Sequence, residues 1–456
     1  MPMNQDSLDG SRITRMTVSI ALPLAAQSIV SFLVNLLDTL MLGQLGEVPL
    51  SVASLSNQVF MIVTLVSAGI ASGSNVLAAQ FWGKGDVDSI HKVLAYTYRM
   101  AAIFALAITA AGVIFPGQIL RLFTNDGEII AEGIGYLRIS ALSYLFYTLS
   151  TVTTGVLQAV HTVKIGMAGA WLALIVKAVL NWLFLFGSFA GFSFGISGAA
   201  IATLIARICE FGLILWFVCF REDKLKIRPH KLKELDRSLA RPYFSVSTPV
   251  ICNELFWALG SSVLSMILGH MGREVISANS IYSVANQLSD VMVSGVTSAA
   301  CVLVANAIGA GNEDLLTFLR CYFQRLSIIV GLLAAGLIFL MRSFIIDFYQ
   351  VSDLTKIYAD QIMLVGTVIA FFSAVQIMNM MGILRGGGDV VFAMANDLIF
   401  LWAVILPLGY LSAFVWKLSV PAVFFLIKSD QIMKVVTSEA RIRSGKWRRN
   451  FTESKA

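Results

Sequence analysis

The stretch from residue 23 to residue 88 recurs without a gap between residues 249 and 314, at a constant offset of 226 (249 − 23 and 314 − 88 alike). Pro23 meets Pro249, and Leu42, Gly43 and Gly46 meet Leu268, Gly269 and Gly272. Gly69, Gly83 and Gly85 meet Gly295, Gly309 and Gly311. A sequence that repeats at one fixed spacing builds the same supersecondary unit twice. Both copies are apolar, so the repeated unit is a hydrophobic bundle. One position breaks the correspondence: Asp38 of the first copy faces Leu264 of the second. A duplicated membrane bundle with a carboxylate in one half only points to a secondary transporter.

Composition sets the solvent. Apolar residues make up 57% of the chain and charged residues 13%, against roughly 25% charged in soluble domains. Too little polar surface remains to cover a large soluble core. The apolar runs are continuous rather than alternating, which argues against a β-barrel. Windows of about 20 residues with at most one charge are long enough to cross the hydrocarbon layer as helices. The sequence predicts twelve such spans, the first at 15–43 and the last at 418–436. They fall into an N-lobe (15–220) and a C-lobe (243–436), joined by a basic linker (221–242) and flanked by an N-terminal segment (1–14) and a basic tail (437–456). The net charge of +6 is concentrated in the linker and tail. By the positive-inside rule these segments, and both termini, are expected to be cytoplasmic. The polar start of the chain gives no sign of a cleavable signal peptide. Five single cysteines and four unpaired histidines offer no metal-ligand spacing.

Several motifs carry a resemblance. They are P-x14-D-x3-LG from Pro23, QFWGKGD from Gln80, GVLQA from Gly155 and GISGAAIAT from Gly195 to Thr203. The second half repeats the scheme as P-x18-LG from Pro249, NAIGAGN from Asn306 and GILRGGGD from Gly382. Each is weak alone; their order, spacing and duplication together are specific. The chain resembles the MATE (multidrug and toxic compound extrusion) transporters, in particular the DinF-like branch, over nearly its whole length. The resemblance implies an all-α integral membrane fold of twelve transmembrane helices in two six-helix lobes, related by a pseudo-two-fold axis along the membrane normal. It implies a monomeric, multi-pass protein of the cytoplasmic (inner) membrane, without enzymatic activity or cofactor. Such a protein exports amphipathic organic cations, drugs and dyes among them, by alternating access, driven by inward H⁺ or Na⁺. Antibiotic resistance is the expected phenotype.

The leading site residue is Asp38. A carboxylate inside an apolar span costs at least ~2.5 kcal/mol and is a functional hypothesis by default; here it is read as the group that couples proton entry to substrate release. Lys177 and Asn181 are i, i+4 on the fifth span and share a face, and Thr203 ends GISGAAIAT on the sixth. In some members of the resembling family, Asn and Asp occupy the two fifth-span positions and complete a small cation site with the Asp and Thr. The chain departs from that pattern, with Lys177 for the Asn and Asn181 for the Asp, and the departure favours H⁺ over Na⁺. Pro23 is read as a hinge in the first span. Glu254 and Asp290 are read as a second acidic pair, with Asp397 as a further acidic candidate. Arg207 and Glu210, i, i+3 on the sixth span, are expected to neutralise one another. Tyr136, Tyr144, Gln376 and Met378 are expected to line a drug cavity, since aromatic faces and thioethers accept varied cations. Set beside this is a second transporter reading, a lipid-linked saccharide flippase of similar two-lobe build. It would want a cleft rich in Lys and Arg, and the central spans are poor in them.

Overall fold

The computed structural model describes residues 10–44, 46–185, 195–226, 237–349 and 351–452. Residues 227–236 of the expected linker, and most of the loop after the fifth span, lie outside the described residues. Every regular element among the described residues is helical. That is what apolar solvent requires: without water, backbone N–H and C=O groups must be satisfied within the segment. The first repeat supplies α1 (Gly10–Gly43), α2 (Glu47–Lys84), α3 (Val87–Ile114), a short α4 (Pro116–Arg121), α5 (Gly127–Ala159), α6 (Lys164–Leu185) and α7 (Gly195–Phe220). The second supplies α8 (Arg237–His270), α9 (Arg273–Gly309), α10 (Glu313–Phe348) and α11 (Asp353–Ile377). Beyond α11 come a π-helical turn (Met378–Leu384), α12 (Val390–Leu398), a second π turn (Ile399–Ile405), α13 (Leu406–Tyr410), α14 (Val420–Lys428) and α15 (Asp430–Arg443).

The repeat is written into the turns as well as the helices. Gly46 and Gly272 have φ of 119° and 129°, and Gly85 and Gly311 have φ of 81° and 66°. These are positive-φ positions that a glycine occupies without strain, and both pairs stand at the 226 offset. Directly after the second pair, Asp86 Oδ1 accepts from Ser89 N (3.0 Å) to cap α3, and Asn312 Oδ1 accepts from Leu315 N (2.9 Å) to cap α10. The caps too are 226 residues apart.

Eleven helical stretches among the described residues are long and apolar enough to cross a membrane. The expected twelfth span differs: α14 and α15 are separate short helices joined at Ser429, whose hydroxyl turns back to Leu426 O (2.7 Å). The run KSDQIMK is too polar to continue one apolar span.

The chain forms two compact units, and these cut across the lobes read from sequence. One unit comprises the chain up to Ala25, Ala79–Gly85 and everything from Cys252 onward; the other comprises Ala26–Ala78 and Asp86–Ile251. Helix α1 therefore passes from one unit to the other just after Pro23, and α8 does so just after Pro249. Glycines explain this. In the first-repeat unit, a Cβ on Gly69 of α2 would lie 3.0 Å from Ile251 Cα of α8. In the other unit, a Cβ on Gly295 of α9 would lie 2.6 Å from Ala21 O of α1. The leading end of each repeat's first helix is thus packed on the second helix of the other repeat. Backbones that approach this closely need small residues, because in lipid no hydrophobic force draws helices together.

The same unit is closed by the tail, which the sequence presented only as a basic extension. Trp447 is fully buried and donates Nε1–H to Ile442 O (2.9 Å). Gln80 grips the tail backbone twice, donating to Arg449 O (3.0 Å) and accepting from Phe451 N (2.9 Å). Buried Asp389 is paired with Arg441 (2.7 Å) and Arg449 (2.8 Å).

Candidate functional site

In the first-repeat unit, α1, α2, α5, α6 and α7 enclose a cavity of about 400 Å³. Asp38 reaches it from the later part of α1. Lys177 and Asn181 reach Asp38 from α6, one turn apart, as helical periodicity requires. Lys177 Nζ donates to Asp38 Oδ2 (2.5 Å) and Asn181 Nδ2 to Asp38 Oδ1 (3.2 Å). Both donors are buried, Asn181 fully, and Asn181 Oδ1 has no hydrogen-bond partner. Two donors therefore engage the carboxylate, one of them a lysine ammonium.

Helix α7 supplies the facing wall. Thr203 lines the cavity, but its hydroxyl donates to Ala199 O (2.9 Å), one turn back on its own helix, rather than to Asp38. Arg207, one turn beyond Thr203, also lines the cavity. Its Nη1 donates to Glu210 Oε2 (2.7 Å), the expected i, i+3 contact, and its guanidinium lies 4.8 Å over the Tyr147 ring and 5.9 Å from that of Phe60. Sequence reading gave Arg207 a structural role only. Its place four residues after Thr203, on the same helical face, was the available signal. The four ionisable groups Asp38, Glu210, Lys177 and Arg207 sum to zero charge.

Tyr136 and Tyr144 line this cavity from α5, with Asn57 and Ser56 from α2. The Tyr144 and Ser56 hydroxyls are buried and find no hydrogen-bond partner within the protein. Gln376 and Met378 do not join them. They are buried in the other unit, where α11 gives way to the first π turn.

Nor does the second acidic pair form. Glu254 accepts from Arg385 Nη2 (3.2 Å). Asp290 accepts from Asn286 Nδ2 (2.8 Å), one turn back on α9, and Tyr282 donates to the same Asn286 (3.0 Å). Each carboxylate is instead engaged by its own partner. Asp397 is engaged by Lys434 (2.9 Å) and Asn253 (3.3 Å).

The MatE family model matches the chain twice, over residues 23–183 and 249–411. The two matches begin 226 residues apart, at the paired prolines. A probable multidrug resistance protein NorM from Thermotoga maritima is 24% identical over 440 residues, covering 95% of this chain and 93% of the relative. Among solved structures, one described as MATE in the bent conformation superposes with a TM-score of 0.87 at 17% identity, covering 98% of this chain and 99% of that one. A structure described as MATE in the straight conformation gives 0.86 at 17% identity, with the same coverage.

Proposed function

The chain belongs to the MATE transporter family, and we propose that it is a proton-driven exporter of amphipathic organic cations, with Asp38 as the coupling group. The observation that carries this reading is the Asp38 carboxylate held by Lys177 and Asn181 on the wall of the cavity. With Asp38 ionised, the four charges around the cavity cancel, and a cation can lie against the Tyr136 and Tyr144 rings. Protonation of Asp38 removes its hold on Lys177. The cavity then carries one net positive charge, which disfavours the bound cation and favours its release. Proton and drug need not touch: each biases the same ion pair in opposite directions, and a ligand shifts an equilibrium only through such a difference. Lys177 Nζ stands where Na⁺ would approach the carboxylate, so a proton is the better driving ion. Both termini are cytoplasmic in this reading, and the protein resides in the inner membrane.

One proton exchanged for one monovalent cation moves no net charge. A pH difference of one unit then supports about a tenfold drug gradient, or ~1.4 kcal/mol. The test is ethidium transport in proteoliposomes under an imposed pH gradient, with and without Na⁺. Transport on the pH gradient alone is expected; a strict Na⁺ requirement would overturn the reading. Because Lys177 and Arg207 both face the cavity, an anionic substrate such as a pyrophosphate-linked lipid is the second reading. Both cations are already paired with carboxylates, which favours the first. An anionic dye in the same assay separates the two.

Pro23 is proposed as the hinge. It removes one backbone hydrogen bond from α1 and stands two residues before the point where α1 changes unit. Two similar solved structures are described as MATE in the bent and in the straight conformation, and a hinge at Pro23 would give α1 two such shapes. Pro23→Ala is expected to insert normally and to slow transport at least tenfold. Wild-type turnover in this variant would leave rigid movement of whole units as the better account.

A further inference from the structure

Resting on the proton-driven reading above, we propose that Asp397, with Lys434 and Asn253, forms a second proton-binding site in the unit that contains the second repeat, so that two protons enter for each drug cation exported. The constellation at Asp38 recurs there. Lys434 on α15, 3% exposed, lies 2.9 Å from Asp397 Oδ1 on α12. Asn253 on α8, 4% exposed, donates Nδ2–H to Asp397 Oδ2 (3.3 Å). Its Oδ1 has no partner, as with Asn181. So each unit buries one aspartate between a lysine and an asparagine, and each asparagine keeps an acceptor in reserve. The repeat does not account for this likeness, since the position equivalent to Asp38 is Leu264.

The unused carbonyl gives a proton somewhere to go. A buried acceptor left unpaired is costly. When a proton from water adds to the Asp397 carboxylate, the new O–H can donate to Asn253 Oδ1 once the amide turns over. An amide presents donor and acceptor ends of nearly equal shape, so the turn needs no repacking.

Charge counting singles out this aspartate. Lys434 also binds Asp430 Oδ2 (2.8 Å), one turn before it, and Gln431 donates to the same oxygen (3.4 Å). One ammonium thus faces two carboxylates, a net charge of −1. The neighbouring ion pairs are made with other partners. Glu254 of α8 is paired with Arg385 and Glu439 of α15 with Arg443, while Asp389 takes both Arg441 and Arg449 and keeps one positive charge in surplus there. Lys428 of α14 acts on Asp290 of α9. Protonating Asp397 brings the cluster to zero while Lys434 keeps Asp430. At Asp38 the same event strips Lys177 of its carboxylate. One site therefore stores a proton and the other switches on one. A metal cation would have to displace Lys434 Nζ, which already lies between the two carboxylates.

The test measures the steady ethidium gradient in proteoliposomes of the full-length protein, with the membrane potential clamped by potassium and valinomycin. Two protons per monovalent cation predict about 100-fold accumulation per pH unit at zero potential, and a further factor of about 50 per 100 mV because one net charge moves. Asp397→Asn is expected to support about tenfold per pH unit and to ignore the potential; Asp397→Glu is expected to behave as wild type. Asp38→Asn should build no gradient under either force. A wild-type gradient of tenfold per pH unit, insensitive to potential, overturns the second site while leaving the proton-driven reading intact. Failure of wild type to respond to pH at all overturns both. Should Asp397→Asn not fold, proton release on ethidium binding to wild-type protein in weak buffer decides: two protons per dye support the site, and one refutes it.

Discussion

Asp38→Asn is expected to abolish ethidium export and to destabilise the protein by about 3 kcal/mol. Removing one partner of a buried ion pair costs ~3–5 kcal/mol because the other charge is left uncompensated. The lower end applies here, since the Asp38 side chain keeps 25% exposure against 8% for Lys177. A second substitution separates the two effects. Asp38→Asn combined with Lys177→Met removes the stranded ammonium, and a buried pair replaced by neutral groups of similar volume is often as stable as the original. The double variant should regain the wild-type unfolding midpoint in detergent while remaining inactive. Recovery of transport along with stability would make the pair a structural element and remove Asp38 from the coupling mechanism.

Gly309→Val is expected to prevent the protein from reaching its folded form. A Cβ at Gly309 would sit 1.8 Å from Gln80 O, and one at Gly83 would sit 2.0 Å from Asn306 O. Both obstacles are backbone atoms in helices, so no rotamer change relieves them. The two contacts are reciprocal: Gly83 and Gly309 are repeat partners, and so are Gln80 and Asn306. Gly336 of α10 is the control, because a Cβ there meets nothing within 4 Å. Gly336→Ala should stay within about 0.5 kcal/mol of wild type. Elution of fluorescently tagged protein from a sizing column in detergent distinguishes the two: a monodisperse peak for Gly336→Ala, and aggregate for Gly309→Val. A monodisperse Gly309→Val peak would show that α2 and α9 can separate at no great cost.

What the sequence revealed and what it hid divide along the range of the interactions. The Lys177–Asn181 face was legible because both residues lie on one helix, and periodicity alone sets them side by side. The Asp38 site was legible because a lone carboxylate stands out in an apolar run. The pairing of Glu254 with Asp290 failed because it needed tertiary knowledge: Arg385 comes from beyond a π turn, and no helical period forecasts a π turn. Asp430 and Lys434 are themselves i, i+4, so half of their cluster was in plain view. Its meaning depended on Asp397 and Asn253, which arrive from two other helices. Likewise, nothing in a basic, polar tail announced that Trp447 would be fully buried.

The exchanged ends of α1 and α8 bear on ancestry. A six-span chain resembling either repeat would present the Gly69 or Gly295 surface with nothing on it, since the helix end that covers each belongs to the other repeat. Two copies of such a chain, inserted in the same orientation, would cover each other through that contact. The interior of the present protein is therefore built like the interface of a parallel homodimer whose subunits became fused. Joined in one chain, the halves are free to differ, as Asp38 and Leu264 do at matched positions and as the buried Lys177 and Lys434 do at unmatched ones.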